Sequence, residues 1–438
     1  MNAATSGRLD KLKHVARVSL VTFDPVGARL AGSVIRVLEL ARALADAGHK
    51  PTVLTPRLES DADMYPFPVR TLDPIMAADA DVVVLPFHAL VRIPALARLR
   101  TPLVFDLYDP FIFELLASGT RRREVRAHCS VLNHVLRRGD FFLCGSERQR
   151  DMWLGALVSC GRVLPSVEVD ECFRRLIDVV PFGIQDDLAR DPGWAPAIKG
   201  VLPCISPGDT VIVSGGALWE WQDPVTAVRA IARVAQRRSD VHLVLFAGGS
   251  SLAAGAARAA AAELGVLDRQ VHFLSEWIPY AERGRYLSEC DAGITTHRSS
   301  LESHFSVRTR VLDYLWAGLP VVCTEGDVLA DFVTRHELGM VVGEGDEHGL
   351  ATAFERIAED PAFVEACRQR IAGIRPTLTW RTAAQPLIRY CEGPFTGDRA
   401  PRGAEAVRDL ASAAWHVLRT QGIREAARRV HRHAFVRV

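Results

Sequence analysis

Two doubly wound α/β halves facing across a cleft, with a basic helical extension behind them, is the fold class this sequence predicts. Three observations carry the prediction. A strand, a glycine-containing loop, a helix and a second strand follow one another between residues 17 and 55, which is a βαβ unit. The same order starts again at Asp209. In both halves the strands are short runs of Val, Ile, Leu and Phe without alternation, as a parallel sheet covered on both faces requires.

The first strand, Arg17–Phe23, leads into the loop Asp24-Pro-Val-Gly-Ala-Arg-Leu-Ala-Gly-Ser33, a helix to Ala47 closed by Gly48, and a strand Pro51–Thr55. Gly27 and Gly32 lack the spacing of a dinucleotide fingerprint, yet a loop after the first strand is where such sheets bind ligands. Further buried strands fall at Val82–Pro86, Leu103–Asp106 and Phe141–Gly145. This half ends near Val179-Val-Pro-Phe-Gly183, and Asp186–Pro207, rich in Asp, Pro and Gly, is the expected hinge.

The second half opens with the strand Thr210–Ser214 and the loop Gly215-Gly216-Ala-Leu-Trp-Glu-Trp-Gln-Asp223, after which Pro224 sits at the first helical position behind Asp223 as N-cap. Strands Val241–Phe246, Val271–Leu274 and Ala292–Thr295 follow, with Gly248-Gly249, an alanine-rich helix and Trp277-Ile-Pro279 between them. A last helix surrounds Trp380–Tyr390. The expected domains are therefore 1–200, 209–392 and a basic helical tail, 393–438.

The stretch from Glu302 to Thr324 organises the second half. Ser306 reads as an N-cap, Val307, Val311 and Leu315 as an apolar stripe, Gly318 as a left-handed C-cap and Pro320 as the stop before a buried strand. Arg308 and Arg310 fall in the first helical turn, where the macrodipole disfavours cations. Two guanidinium groups beside free helix N–H groups make a site for a polyanion such as a diphosphate. Asp313 shares the face of Arg310 and Thr309, one turn below, where a carboxylate is placed to accept two ribose hydroxyls. The competing reading is a solvated Arg310–Asp313 pair with Arg308 on the surface.

Composition sets the outer limits. The 438 residues exceed what one core usually holds, and 48% hydrophobic with 24% charged is ordinary for a soluble globular protein. A net charge of +1 gives no bias toward nucleic acid. Residues 414–438 carry six Arg against one Glu, with Ile423, Ala427, Val430 and Ala434 on one stripe and Arg424, Arg428 and Arg432 on another. That pattern fits peripheral contact with an anionic membrane, or a packed terminal helix with a solvated face. Nine scattered cysteines without a C-x-x-C pattern fit free thiols in a reducing cytoplasm. No run reaches the length of a membrane-spanning helix, and the run Ala16 to Phe23, cut by Asp24, reads as a strand rather than a signal peptide.

The motifs together resemble the retaining glycosyltransferases of family 4, which have the GT-B fold of two Rossmann-like domains. The resemblance rests on the strand leading to Gly215 and Gly216, on Phe246-Ala-Gly-Gly249, on Val271-x-Phe-Leu-x-x-Trp277, and above all on Leu312-Asp-Tyr-Leu-Trp-Ala-Gly-Leu-Pro-Val-Val322. Gly27, Gly32 and Val180-Pro-Phe-Gly183 fit the same family's first half, so the likeness spans roughly residues 15 to 392. It implies a nucleoside-diphosphate sugar on the second domain, an acceptor on the first, and transfer with retention. By position Asp313 matches the second Glu of the family's E-x7-E motif, the ribose ligand. Phe305 occupies the spacing of the first Glu, and Glu302 is the nearest carboxylate. The family's basic pair after the first strand of the second domain is replaced by Trp219, Trp221 and Gln222. Arg308 and Arg310 are then the expected source of charge, with Trp219, Trp221 and Trp277 expected at base or sugar.

The remaining candidates each have two readings. Asp109, after a buried strand, is either a sugar or acceptor ligand or the N-cap of the helix around Phe111–Leu116. Arg29 reaches a phosphate or is simply exposed. His297 is either structural or has a direct role at the site. Thr324 ends its strand in Thr324-Glu-Gly-Asp327, whose N–H groups suit sugar or phosphate while Asp327 caps the next helix. Asp61-x-Asp63 and Asp79-x-Asp81 mimic a metal motif, but the second precedes its strand, so no metal and no further cofactor is expected. The expected activity is hexosyl transfer from a UDP- or GDP-sugar to a hydroxyl acceptor, lipid-linked or small, in polysaccharide, glycolipid or natural-product synthesis. The alternatives are a nucleotide-sugar epimerase of the same fold, a glycogen-phosphorylase-like enzyme, and a catalytically silent nucleotide-binding partner.

Overall fold

Strands without a polar face must be covered on both sides, and the chain does this twice. The computed structural model describes residues 14–27, 29–58, 64–73, 79–163, 172–187, 191, 193–219, 221–246 and 251–393. The Asp61/Asp63 pair, the Gly248-Gly249 loop and the tail from 394 onward, with its basic stripe, lie outside the described residues.

In the first half seven parallel strands, β1 (Arg17–Val21), β2 (Lys50–Thr55), β3 (Val69–Thr71), β4 (Val82–Pro86), β5 (Leu103–Asp106), β6 (Phe141–Cys144) and β7 (Ile177–Val179), pair in the order β3-β2-β1-β4-β5-β6-β7. In the second half six strands, β8 (Thr210–Ser214), β9 (Val241–Phe246), β10 (Val271–Leu274), β11 (Ala292–Thr295), β12 (Val321–Thr324) and β13 (Gly339–Val342), pair in the order β10-β9-β8-β11-β12-β13. Both orders reverse direction at their middle, between β1 and β4 and between β8 and β11. Ligands bind at such reversals, outside the carboxyl ends of the strands.

The helices that matter for the site are α1 (Gly32–Asp46), α2 (Phe111–Ala117), α3 (Glu147–Ser159), α4 (Arg283–Leu287), α5 (Leu301–Phe305), α6 (Thr309–Ala317) and α7 (Val328–His336). Helix α6 ends as its sequence demands, on Gly318 at φ 74°, with Leu319 N–H returning to the Tyr314 carbonyl at 2.9 Å. Helix α1 is tied down by Arg36, which is fully buried. It donates to both Asp106 oxygens, at 2.6 and 3.0 Å, and to the Val180 carbonyl at 2.8 Å. A buried cation needs that complete a set of acceptors.

Past the second sheet the chain crosses back. Trp380 N–H donates to the Ile184 carbonyl at 3.1 Å, and the Tyr390 ring stacks on Phe141 of β6 at 4.6 Å. Residues 379–391, read from sequence with the second half, thus pack on the first. Gly183 permits the crossing, because a Cβ there would stand 2.5 Å from the Trp380 nitrogen.

Gly293 on β11 has a similar role beneath the cleft. A Cβ at this position would lie 2.1 Å from the Tyr314 ring of α6. Overpacking of this kind costs roughly 1–3 kcal/mol or more. Gly293→Ala is expected to lose at least that much in urea unfolding, and unchanged stability would show that Tyr314 is not packed against β11.

Candidate functional site

The carboxyl ends of the two sheets enclose a cavity of about 560 Å³. Leu30, Gly32 and Ile35 at the start of α1 form one wall, and Gly215, Gly216, Trp219, Trp277, Arg310 and Asp313 line the opposite side. A smaller cavity of about 350 Å³ adjoins it through Leu30, Ile35 and Tyr280, and holds Gly27, Glu39 and Gln185.

The start of α6 is built differently from the sequence reading. Ser306 is not its N-cap: Ser306 closes α5, and its hydroxyl donates to Glu302 Oε1 at 2.6 Å. Helix α6 begins at Thr309 behind Arg308, with no side-chain cap. Its first-turn N–H groups therefore have no side-chain acceptor, and Thr309 and Arg310 both line the large cavity. Val307 leaves the helix stripe, which is carried by Val311, Leu312 and Leu315.

The two arginines have separate fates. Arg308 donates to both oxygens of Glu302, at 3.1 and 2.8 Å, and both side chains are buried. Its charge is spent there, so Arg308 does not offer the free guanidinium expected at a diphosphate. Arg310 has no carboxylate within ion-pair distance among the described residues. Its Nη2 donates at 2.9 Å to the carbonyl of Ala217, in the loop after β8. Burial, and secondarily the repulsion of Arg308, lowers its hold on its proton. An anion arriving here would relieve both the uncapped helix start and the uncompensated cation.

Asp313 lies one turn on and lines the same cavity. It is not paired with Arg310: Arg283 Nε donates to its Oδ1 at 2.9 Å. Next to it Tyr314 holds the glycine loop from below. Its hydroxyl donates to the Ile294 carbonyl and accepts Gly215 N–H, both at 2.8 Å. Gly215 thus has its amide committed to Tyr314 rather than free for a ligand. Gly216 lines the cavity at φ 75°, a conformation that suits glycine.

The tryptophans stand at the mouth. Trp219 and Trp221 stack at 5.5 Å with planes 5° apart. Trp219 is half exposed and, with Trp277, faces the cavity, whereas Trp221 is not among its lining residues. A tight turn fixes them: Gln222 N–H returns to the Trp219 carbonyl, and the Gln222 side chain accepts Trp219 N–H, each at 3.0 Å.

Other expected residues lie elsewhere. Arg29 is exposed and lines neither cavity. Thr324 is buried, its hydroxyl accepting His297 N–H at 3.3 Å, away from the cavity lining. His297 is buried, and desolvation, with help from Arg308 and Arg310, pushes its pKa down to about 3, so the ring is neutral at ordinary pH. Asp327 caps α7 as expected, accepting Leu329 N–H at 2.7 Å. Asp109 is not the N-cap of α2: burial raises its pKa well above normal, and its carboxyl hydrogen-bonds Glu114, with Glu302 adding repulsion. Asp79 and Asp81 both pair with Arg17, and no group of three metal-ligating side chains occurs among the described residues.

Arg283 and Tyr314 were not foreseen. Tyr314 was within reach, since it follows Asp313 on a helix whose other face is core. Arg283 was not, because 30 residues separate it from Asp313 and no local pattern joins them.

Comparisons with known proteins come down to one domain and one fold. Residues 209–360 match the model of the glycosyl transferases group 1. A search of curated proteins finds no match. Among solved structures, WaaG, a glycosyltransferase involved in lipopolysaccharide biosynthesis, is 16% identical over 86% of this chain and 100% of its own, with a TM-score of 0.61. HepE of Anabaena in complex with UDP-glucose is 16% identical over 85% and 98%, at 0.62. Trehalose-6-phosphate synthase OtsA is 11% identical over 86% and 99%, at 0.59. No helix among the described residues is long and apolar enough to cross a membrane. Residues 209–360 are thus a glycosyltransferase group 1 domain, set in the GT-B fold of two Rossmann-like halves around a cleft.

Proposed function

We propose that the chain transfers a hexose-like sugar from a UDP- or GDP-sugar to a hydroxyl acceptor, with retention, as a divergent relative of family 4. The observation that carries this reading is Arg310, a half-buried cation at an uncapped helix start that lines a cleft cavity and has a carbonyl as its partner. Breaking the anomeric C–O bond leaves negative charge on the diphosphate, and stabilising that charge is the largest catalytic task. Arg310 and the first-turn N–H groups of α6 meet it from one side. Asp313 accepts ribose hydroxyls, and Trp219 and Trp277 cover base or sugar. The start of α1, with Gly32, closes over the donor from the first half. The UDP-glucose complex of HepE, a protein of the same fold, supports a nucleotide sugar as donor. The acceptor enters from the first half, and a lipid-linked one would bring the enzyme to a membrane surface.

Glu302 and Arg308 are assigned to support rather than to the reacting atoms. They neutralise each other and fix the turn between α5 and α6, which sets where Arg310 points.

Two outcomes test the reading. Arg310→Ala should weaken UDP and GDP binding about 10- to 100-fold, the worth of a charge-assisted contact of roughly 1.5–3 kcal/mol, while uridine and guanosine are little affected. Equal losses for nucleoside and diphosphate in calorimetry would contradict the phosphate role, and a wild type that binds neither nucleotide would remove the proposal. Glu302→Gln should destabilise by about 3–5 kcal/mol by stranding Arg308, and Glu302→Gln with Arg308→Met should recover much of that. A double variant as unstable as the single one in urea titrations would mean that the pair is not the anchor of the turn.

A further inference from the structure

We infer that Arg283 is the positioning residue of a ribose subsite, fixing the Asp313 carboxylate so that its second oxygen is left for the 2′- and 3′-hydroxyls of a nucleoside diphosphate; this rests on the ribose role proposed above for Asp313. An aspartate on the wall of a cavity has rotamers to choose from, and side-chain entropy opposes any one of them. Here one choice is enforced. Arg283 Nε donates to Asp313 Oδ1 at 2.9 Å, and Oδ2 takes no hydrogen bond among the described residues.

The guanidinium is held against following a moving carboxylate by one short bond, one long one and two rings. Nη1 donates to the Tyr280 carbonyl at 2.6 Å, and Nη2 reaches Gln185 Oε1 at 3.5 Å. Its plane is held between the Tyr280 ring, 3.5 Å from the guanidinium carbon, and the Trp316 ring, 4.1 Å away. Arg283 itself is buried, while the Asp313 side chain keeps 39% of its surface open. A buried arginine braced on three sides thus presents a partly open carboxylate to the cavity. The brace reaches the other half of the molecule, since the Gln185 amide donates to Glu39 of α1 at 3.4 Å. A lysine would keep the charge but not all three contacts, which need the planar fork.

The ratio of affinities for a nucleotide and its 2′-deoxy analogue isolates this role, because global loosening weakens both alike. UDP and 2′-deoxy-UDP, with GDP and 2′-deoxy-GDP in parallel, are titrated by calorimetry into wild type, Asp313→Ala, Arg283→Met and Arg283→Lys. Wild type is expected to prefer the ribonucleotide by about tenfold or more, the effect of losing one hydroxyl bond to a charged group. Asp313→Ala should bring the ratio near one, Arg283→Met close to it, and Arg283→Lys to an intermediate value. A wild-type ratio in either Arg283 variant, with Asp313→Ala near one, overturns the role of Arg283 alone. An unchanged ratio in Asp313→Ala overturns the ribose reading beneath it. Should Arg283→Met fail to fold, Arg283→Lys decides between the same outcomes.

Discussion

A half-buried guanidinium with no carboxylate partner among the described residues is the constraint around which this cleft is arranged. Two arginines stand at the head of α6, Arg308 just before its first turn and Arg310 within it, and Arg308 is cancelled where it stands by the bidentate Glu302. The other, Arg310, is left with a carbonyl. A cation at a helix start already opposes the macrodipole, and burial adds a desolvation cost. Nothing in the first turn relieves this, as α6 lacks a side-chain cap. The surrounding elements keep the strain in place. Tyr314 locks the Gly215 amide, the Ala217 carbonyl orients Arg310, and Gly293 makes room for the Tyr314 ring. The arrangement is electrostatically incomplete, and the dianionic leaving group proposed above would complete it.

The two halves are clasped on both flanks of that site, by contacts of different strength. On one flank Gln149 of α3 donates to the carbonyls of Tyr108 and Phe305, each at 2.7 Å, and Phe113 stacks on Phe305 at 5.4 Å. Arg148 reaches the Gly326 carbonyl at 2.9 Å and pairs with Asp331. The Arg148–Asp331 pair is partly exposed and contributes little. The Gln149 bond to Phe305 and the aromatic stack are the contacts an opening motion must break, because Tyr108 and Gln149 belong to the same half. On the other flank Arg283 Nη2 reaches Gln185 Oε1 only at 3.5 Å, a weak bond by that measure, while Trp316 Nε1 donates to the Asp187 carbonyl at 2.6 Å.

What could be read from sequence followed range. The buried parallel strands, the Asp223–Pro224 helix start, the Asp327 cap and the Gly318 stop each depend on residues a few positions apart, and the chain states such rules locally. The fold class follows from the same signals, since two βαβ starts leave few alternatives. Ser306 does not cap α6, because a hydroxyl beside a helix start is an N-cap only if nothing better competes, and Glu302 competes. The Arg308 pairing was hidden because Glu302 sits six residues away across a break between helices, outside the i, i+4 rule. Arg283, Gln185 and Glu39 come together only through tertiary packing. Asp109 is ambiguous for a related reason: its neighbour Glu114 is visible in sequence, but the burial that raises the pKa of both carboxyls is not.

The two departures from the family pattern are also one compensated change in space. Where the family that the sequence resembles carries a basic pair after the first strand of the second domain, this chain has the stacked Trp219 and Trp221 and the turn that Gln222 closes. Gln222 bridges to His297, and Asp223 N–H donates to the Thr296 carbonyl at 3.0 Å, so the loop after β8 is fastened to the loop after β11. That second loop runs into α5 and the Glu302–Arg308 pair, and Arg310 reaches back to Ala217 in the first. Three segments are thus cross-linked at one point of the cleft, with the positive charge supplied from α6 instead of from β8. A further cation in the loop after β8 would repel Arg310, and that loop carries none. The aromatic turn after β8 and the arginine at the head of α6 are for that reason parts of the same solution.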